Sequence, residues 1–197
     1  MTGSIIPFRT SYKQNTFPPI VFAEMFRENL ESYSAATPRA HTVLNNCRML
    51  LQEARKRGFP VAFANSKSYC ANEDTRSWID GFRPQRHDMV FEPSAASCYS
   101  SPEFAEAMTD IGGRFVLAGF LGESVCLATV IDAATFGHRA GLIEDAISSR
   151  SIFGDPVDSH RVVVGTASRY AAILMTADWQ SNDGSVLVKL GAANACR

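Results

Sequence analysis

Residues 114–147 read RFVLAGFLGESVCLATVIDAATFGHRAGLIEDAI, and the fold is decided in this stretch. Arg114 to Ala118 is a short apolar run, the pattern of a strand covered on both faces. Gly119 to Glu123 contains two glycines and predicts a turn in which the backbone can come close to a ligand. Ser124 to Phe136 carries apolar residues at helical spacing and is followed by Gly137, which predicts a helix and its stop. Cys126 then falls in the first helical turn. Unpaired backbone N–H groups and the positive end of the helix dipole at such a place lower a thiol pKa and can hold an oxyanion. Cys126 is therefore the candidate nucleophile, with the amides of Val125 and Cys126 as oxyanion donors and Gly122 as a substrate contact.

Outward from this stretch, strand and helix patterns alternate. Ile20 to Ala23 is a first strand that delivers Glu24 to its C-terminal end. Thr37-Pro38 starts a helix that runs to Gly58, with one apolar stripe from Ala40, Val43, Leu44, Cys47, Leu50, Leu51 and Ala54. Pro60 to Ala64 and Met89 to Glu92 read as the second and third strands, separated by a long polar loop over 65–87 of the kind that shapes a site. Ser101-Pro102-Glu103 opens a helix to about Thr109, and Gly112-Gly113 leads into the central strand. Ala140 to Glu144 is a fifth strand, Asp158 caps a helix to about Ala172, and Ile173 to Thr176 is a last short strand. The apolar segment from Gly184 to Leu190 predicts an added strand or a subunit contact.

Alternation of this kind implies right-handed crossovers and a three-layer α/β/α domain, Rossmann-like, around a mostly parallel sheet of about six strands. Ligands bind beyond the carboxyl ends of such strands. Glu24, Glu92 and the Cys126 turn all lie at such ends.

Composition bounds the function. The chain has 197 residues, 46% of them apolar, which is one domain with a full core; the expected division is an arm over 1–19, the domain over 20–180 and a tail over 181–197. A net charge of −1 gives no basic footprint for nucleic acid, and no apolar run reaches membrane-spanning length, so a small-molecule substrate is expected. The five cysteines stand at scattered positions without a C-x-x-C pair, which suits a reduced cytoplasm. GFLGES lacks the G-x-G-x-x-G arrangement and the first strand-to-helix turn has no glycine, so no nucleotide cofactor is expected. No two of the four histidines have ligand spacing, so no metal is expected either, although a Glu24/Glu92 pair with His87 would be a ligand set of the right chemistry.

The stretch around Cys126 resembles the isochorismatase-like cysteine hydrolases, which carry a strand, a glycine, a short turn, a Cys at the start of a helix, then a Thr and an Asp-Ala pair. Here these are Gly119, Cys126, Thr129 and Asp132-Ala133, followed by a strand ending in Glu144-Asp145-Ala146. The resemblance spans roughly residues 18–178. It implies cofactor-independent hydrolysis of a small molecule and a homo-oligomer, dimer or higher. It also implies a triad of an acid after the first strand, a Lys or Arg after the third, and the Cys. Glu24 stands in place of the family Asp, and Glu92 stands where the cation belongs, with no Lys or Arg between Arg86 and Arg114. Tyr99 stands where family members often place an aromatic wall.

Two carboxylates near one sulfur would raise the thiol pKa and push one carboxylate toward its protonated form. Three readings remain open. A cation from elsewhere, Lys67 first and then Arg83 or Arg86, restores thiolate attack on an amide-type bond. Alternatively, the Glu24/Glu92 pair shares a proton and supplies a general acid for an enol ether or a nitrile-like carbon. In the third reading the fold keeps its pocket without the reaction, as a small-molecule-binding or redox-sensitive thiol protein. Cys47 and Cys98 read as core cysteines, Cys70 as a loop residue and Cys196 as part of the tail. Asp132 and Asp145 read as structural hydrogen-bonding acids, and Trp78, Phe82 and Trp179 as packing residues.

Overall fold

A computed structural model of the chain describes residues 17–36, 39–66, 77–150, 155–181, 186 and 189–190. Its elements are β1 (Ile20–Ala23), α1 (Arg27–Ala36), α2 (Arg39–Arg57), β2 (Val61–Ala64), β3 (Met89–Phe91), a 3₁₀ turn (Cys98–Ser100), α3 (Pro102–Asp110), β4 (Arg114–Gly119), a π-turn (Gly122–Cys126), α4 (Leu127–Thr135), β5 (Arg139–Ile147), α5 (Pro156–Ala167), β6 (Ala172–Leu174) and α6 (Thr176–Ser181). The six strands form one sheet in the order β3-β2-β1-β4-β5-β6, and every pair is parallel. The α/β sheet expected from the alternation is present.

The central strands are continuous apolar runs because both faces are covered by helices: all four residues of β1 and five of the six in β4 are buried. Helix α2 lays its predicted stripe, Ala40 to Ala54 with Cys47, into the core and closes with Arg55, Lys56 and Arg57, cations that complement the negative end of its dipole. The Ser101 side chain accepts a hydrogen bond from Phe104 N–H, and Pro102 occupies the first helical position of α3.

The strand order reverses between β1 and β4. The chain leaves β1 toward one edge of the sheet and β4 toward the other, and the crevice beyond the two strand ends is where such sheets bind ligands. Contact between the two ends is unusually tight. Phe120 N–H donates to Ala23 O at 3.0 Å, and a Cβ on Gly119, whose φ is +125°, would lie 2.2 Å from that same oxygen. Only glycine can end β4 against β1.

Several expectations are corrected. Helix α1 was not expected; among its described residues the buried ones are Asn29 and Tyr33, polar-bearing side chains that, with Leu30 packed beside them, give too little apolar pattern to read. The helix expected from Ser124 begins instead with a π-turn that becomes α-helical only at Leu127. Asp155 rather than Asp158 caps α5, its side chain accepting from Val157 N–H at 2.7 Å, and the helix ends at Ala167. Strand β5 extends to Ile147, past a register shift opposite Leu117 and Gly119. Thr176 opens α6 instead of closing a strand. Residues 186, 189 and 190 are helical, not extended, and Val186 and Leu190 are buried within the chain's own core. At the other end, Phe17 stacks on Phe59 at 4.1 Å and meets Trp179 edge-on, fastening the end of the N-terminal segment to the domain. Phe82 and Trp179 are fully buried packing residues, and Trp78 packs on Phe26 and Phe63.

Candidate active site

Glu24 follows β1 directly, in the left-handed backbone region at φ +56°, a conformation that costs a non-glycine residue about 1–2 kcal/mol. The surroundings hold it there. Ser66 N–H donates to Glu24 Oε1 at 2.5 Å, Asn29 Nδ2 donates to Oε2 at 3.3 Å and to the Glu24 carbonyl at 3.1 Å, and the next residue's N–H, from Met25, donates to Asn65 Oδ1 at 3.0 Å. The carboxylate is only 2% exposed. A buried acid with this many donors is a placed group, not a strand-end charge turned to water.

Cys126 is the last residue of the π-turn, one strand across from Glu24, and is fully buried. Its thiol donates to Phe120 O at 3.7 Å, and its backbone N–H donates to Leu121 O at 3.2 Å. The turn is entered through Leu121 in the left-handed region, φ +57° and ψ +44°. Burial pushes the Cys126 thiol well above its ordinary range, and Cys98, Glu123, Cys47 and Glu24 push it further the same way. The lowered pKa expected from a helix start is therefore reversed. Desolvation of a fully buried group outweighs a dipole whose first N–H groups are already spent within the turn.

The acid-rich setting expected around the sulfur is present, but its second carboxylate is not the expected one. Glu92 is exposed at the end of edge strand β3, three strand spacings or roughly 14 Å from β4, and is not among the groups that raise the thiol. Glu123, inside the π-turn itself, takes that place. Both of its oxygens accept from Tyr33 Oη, at 2.7 and 2.9 Å, and Oε2 also accepts from Arg150 N–H at 3.0 Å.

The remaining expected contacts are dispersed. Gly122 N–H donates to Ser148 O at 2.9 Å, and a Cβ there would meet Ser149 Oγ at 2.6 Å, so the glycine serves close packing of the turn. Val125 is buried beside Cys126. Tyr99 turns its hydroxyl to His138 Nδ1 at 2.7 Å and stacks its ring on Phe136 at 4.6 Å. Lys67 and Cys70 lie outside the described residues, as does Cys196. Arg83 and Arg86 are exposed. Cys47 and Cys98 are buried, and Asp145 accepts from both the N–H and the hydroxyl of Thr176, the structural role expected of it. Among the described residues no three His, Cys, Asp or Glu side chains gather as a metal site, and no helix is long and apolar enough to cross a membrane.

Sequence reasoning missed Asn65, whose buried Nδ2 has no hydrogen-bond partner among the described residues, along with the buried hydroxyls of Ser148 and Ser149, which likewise have none among them. A signal for them existed. Like Glu24, they stand immediately after strands β2 and β5, at the carboxyl edge of the sheet.

The Isochorismatase domain family model matches residues 19–178. No curated protein matches the sequence. Among solved structures, an isochorismatase from Pseudomonas putida superposes with a TM-score of 0.69 at 19% identity, over 82% of this chain and 89% of that one. A cysteine hydrolase from Pseudomonas syringae pv. phaseolicola gives 0.71 at 15% identity over 98% and 100%. N-carbamoylsarcosine amidase from Thermoplasma acidophilum gives 0.63 at 24% identity over 81% and 96%. These likenesses are of fold, and the family match covers all six strands of the sheet. The chain belongs to the isochorismatase family.

Proposed function

We propose that the chain hydrolyses a C–N or C–O bond of a small molecule, of amide, nitrile or enol-ether type, with Cys126 as nucleophile and Glu24 as its acid–base partner. The observation that carries this reading is the placement of a buried, hydrogen-bonded carboxylate and a buried thiol in the segments that follow two neighbouring strands, at the point where the strand order reverses. Because the resting thiol is neutral, the nucleophile forms only as its proton moves. On an amide, sulfur bonds to the carbonyl carbon while the thiol proton passes to Glu24. Collapse of the tetrahedral adduct breaks the C–N bond, and Glu24 returns that proton to the departing amine. Water then attacks the thioester, giving its proton through Glu24 to the leaving sulfur. The Cys126 N–H must exchange Leu121 O for the oxyanion during these steps.

Glu24 and Glu123 make the surroundings of the thiol acidic, which favours a neutral or cationic substrate over a carboxylate. Glu92 stands at the exposed end of β3, outside the reacting pair. Exposed Val157 and Val162 on α5 support the homo-oligomer implied by the family, for which sedimentation is the test. A second reading, a family member that binds a small molecule without turning it over, is supported by the full burial of Cys126 and the internal use of its amide.

One experiment separates the two. The protein is incubated with a panel of small amides, nitriles and enol ethers, with product analysis and intact-mass detection of a covalent adduct. Turnover that disappears in Cys126→Ala and falls about 10²–10⁴-fold in Glu24→Gln is the expected result. Turnover surviving in Cys126→Ala would refute the mechanism, and ligand binding with neither turnover nor adduct would establish the second reading.

A further inference from the structure

A π-turn entered through a left-handed leucine is poorer than the α-helix it replaces, and such turns persist only where the surroundings determine them. The surroundings of this one form a closed circuit. Tyr33, from α1, is fully buried and donates its hydroxyl to both oxygens of Glu123. Arg150 N–H, just beyond β5, holds the same carboxylate, and the Arg150 guanidinium lies 5.1 Å over the Tyr33 ring. The other side of the circuit is apolar, with the Tyr33 ring edge-on to Phe120 at 5.6 Å. Phe120 in turn supplies the carbonyl that accepts the Cys126 thiol. The circuit thus encloses the turn from α1 to the end of β5 and returns to the sulfur.

We propose that Tyr33 and Glu123 are a positioning pair that clamps the π-turn and thereby fixes the place and accessibility of the Cys126 thiol. The pair touches no reacting atom. It rests on the hydrolase reading only for the importance of Cys126; its own test reads the thiol directly and needs no substrate. Two effects are separable by substitution. Tyr33→Phe keeps the buried ring and removes only the hydroxyl that holds Glu123, so it loosens the turn. Glu123→Gln keeps an oxygen for Tyr33 and for Arg150 N–H and removes only the charge. The groups facing the thiol are Glu24 from the end of β1, Glu123 from the turn, Cys47 from α2 and Cys98 from the 3₁₀ turn. Arg150 is the cation set against this pair.

The measurement is the rate of Cys126 alkylation by iodoacetamide from pH 7 to 10.5, followed by peptide mass spectrometry. Ser101→Ala, which removes the side-chain cap of α3 and leaves every bond to Glu123 in place, serves as the control for general destabilisation. Tyr33→Phe is expected to alkylate at least about tenfold faster than wild type at every pH, because one charge-assisted hydrogen bond holding the turn closed is lost. Glu123→Gln is expected to keep the closed turn and shift the whole profile to lower pH. Ser101→Ala should leave both rate and profile unchanged. Wild-type rates and profiles in both pair variants would overturn the proposal, as would equal acceleration in Ser101→Ala. The clamp stands if these shifts occur in a protein that turns over nothing, so its failure and that of the hydrolase reading are told apart.

Discussion

Replacing Gly119 by alanine tests the contact on which the site depends. The new Cβ would stand 2.2 Å from Ala23 O, 2.8 Å from Ala23 N and 3.0 Å from Ala23 C, all backbone atoms that cannot rotate aside. The residue would also have to keep a φ of +125°, a region that costs a side-chain-bearing residue about 1–3 kcal/mol. Overpacking a filled contact adds about 1–3 kcal/mol, so the sum is about 4 kcal/mol. For a domain of this size that corresponds to a fall in Tm of about 12 °C. Gly81→Ala isolates the first cost, because Gly81 has φ +89° and an added methyl group there would meet nothing within 4 Å among the described residues. Strain alone, about 2 kcal/mol, predicts a fall of about 6 °C there. Thermal unfolding followed by circular dichroism measures both variants under one buffer. Equal falls in Tm would mean that β1 and β4 do not meet as tightly as described, and the juxtaposition of Glu24 with Cys126 would lose its basis.

Alkaline pH should destabilise the protein through its buried thiols. Unfolded cysteines lose their protons near pH 8.5, whereas in the fold burial pushes Cys98 up to about 12 and raises Cys47 and Cys126 as well. Above pH 8.5 the folded chain thus holds more protons than the unfolded one, and stability is lost as pH rises, by about 1.4 kcal/mol per thiol per pH unit. Urea midpoints from pH 8 to 10.5 should fall less steeply in Cys98→Ala than in wild type, and parallel slopes would contradict the assignment. On the acid side, burial and then Arg39 lower His160 to about 4, so below pH 6.5 the unfolded chain takes up a proton that the fold refuses. Stability should be lost as pH falls from 6.5 toward 4, and His160→Gln should flatten that limb of the urea titration. Asn65→Ala should cost about 1–3 kcal/mol, because the buried Met25 N–H loses its acceptor; an unchanged urea midpoint would refute that role.

Much of the architecture follows from local signals. The IVFA and RFVLAG runs have no alternation and so had to be doubly covered strands, and the α2 stripe and the Ser101-Pro102 start need no distant partner to be read. Glu24 and Cys126 were legible for the same reason, since each immediately follows or shortly follows a recognisable strand. Helix α1 was not legible because its buried residues, Asn29 and Tyr33, are chosen for hydrogen bonds to Glu24 and Glu123, partners fixed only by the fold. The π-turn was equally hidden. Its sequence has helical periodicity, whereas the left-handed Leu121 that precedes it, the Glu123 carboxylate bonded by Tyr33 and Arg150, and the Gly122 N–H bonded to Ser148 O involve segments that only the fold brings together.

The choice between the two candidate acids shows the boundary most clearly. In the sequence Glu24 and Glu92 are alike, each a carboxylate directly after a short apolar strand, and local chemistry determined both as strand-end acids. Strand order separated them. β1 lies beside β4 at the centre of the sheet, where Glu24 is buried and among the charges that raise the thiol, while β3 lies at the edge, where Glu92 is exposed. The burial that raises the Cys126 thiol is likewise a property of packing from several segments, α2, the 3₁₀ turn and β1 among them. Backbone preference and hydrophobic pattern act over a few residues and are written in them. Desolvation and charge proximity depend on which distant segments are neighbours, and only the tertiary structure decides that.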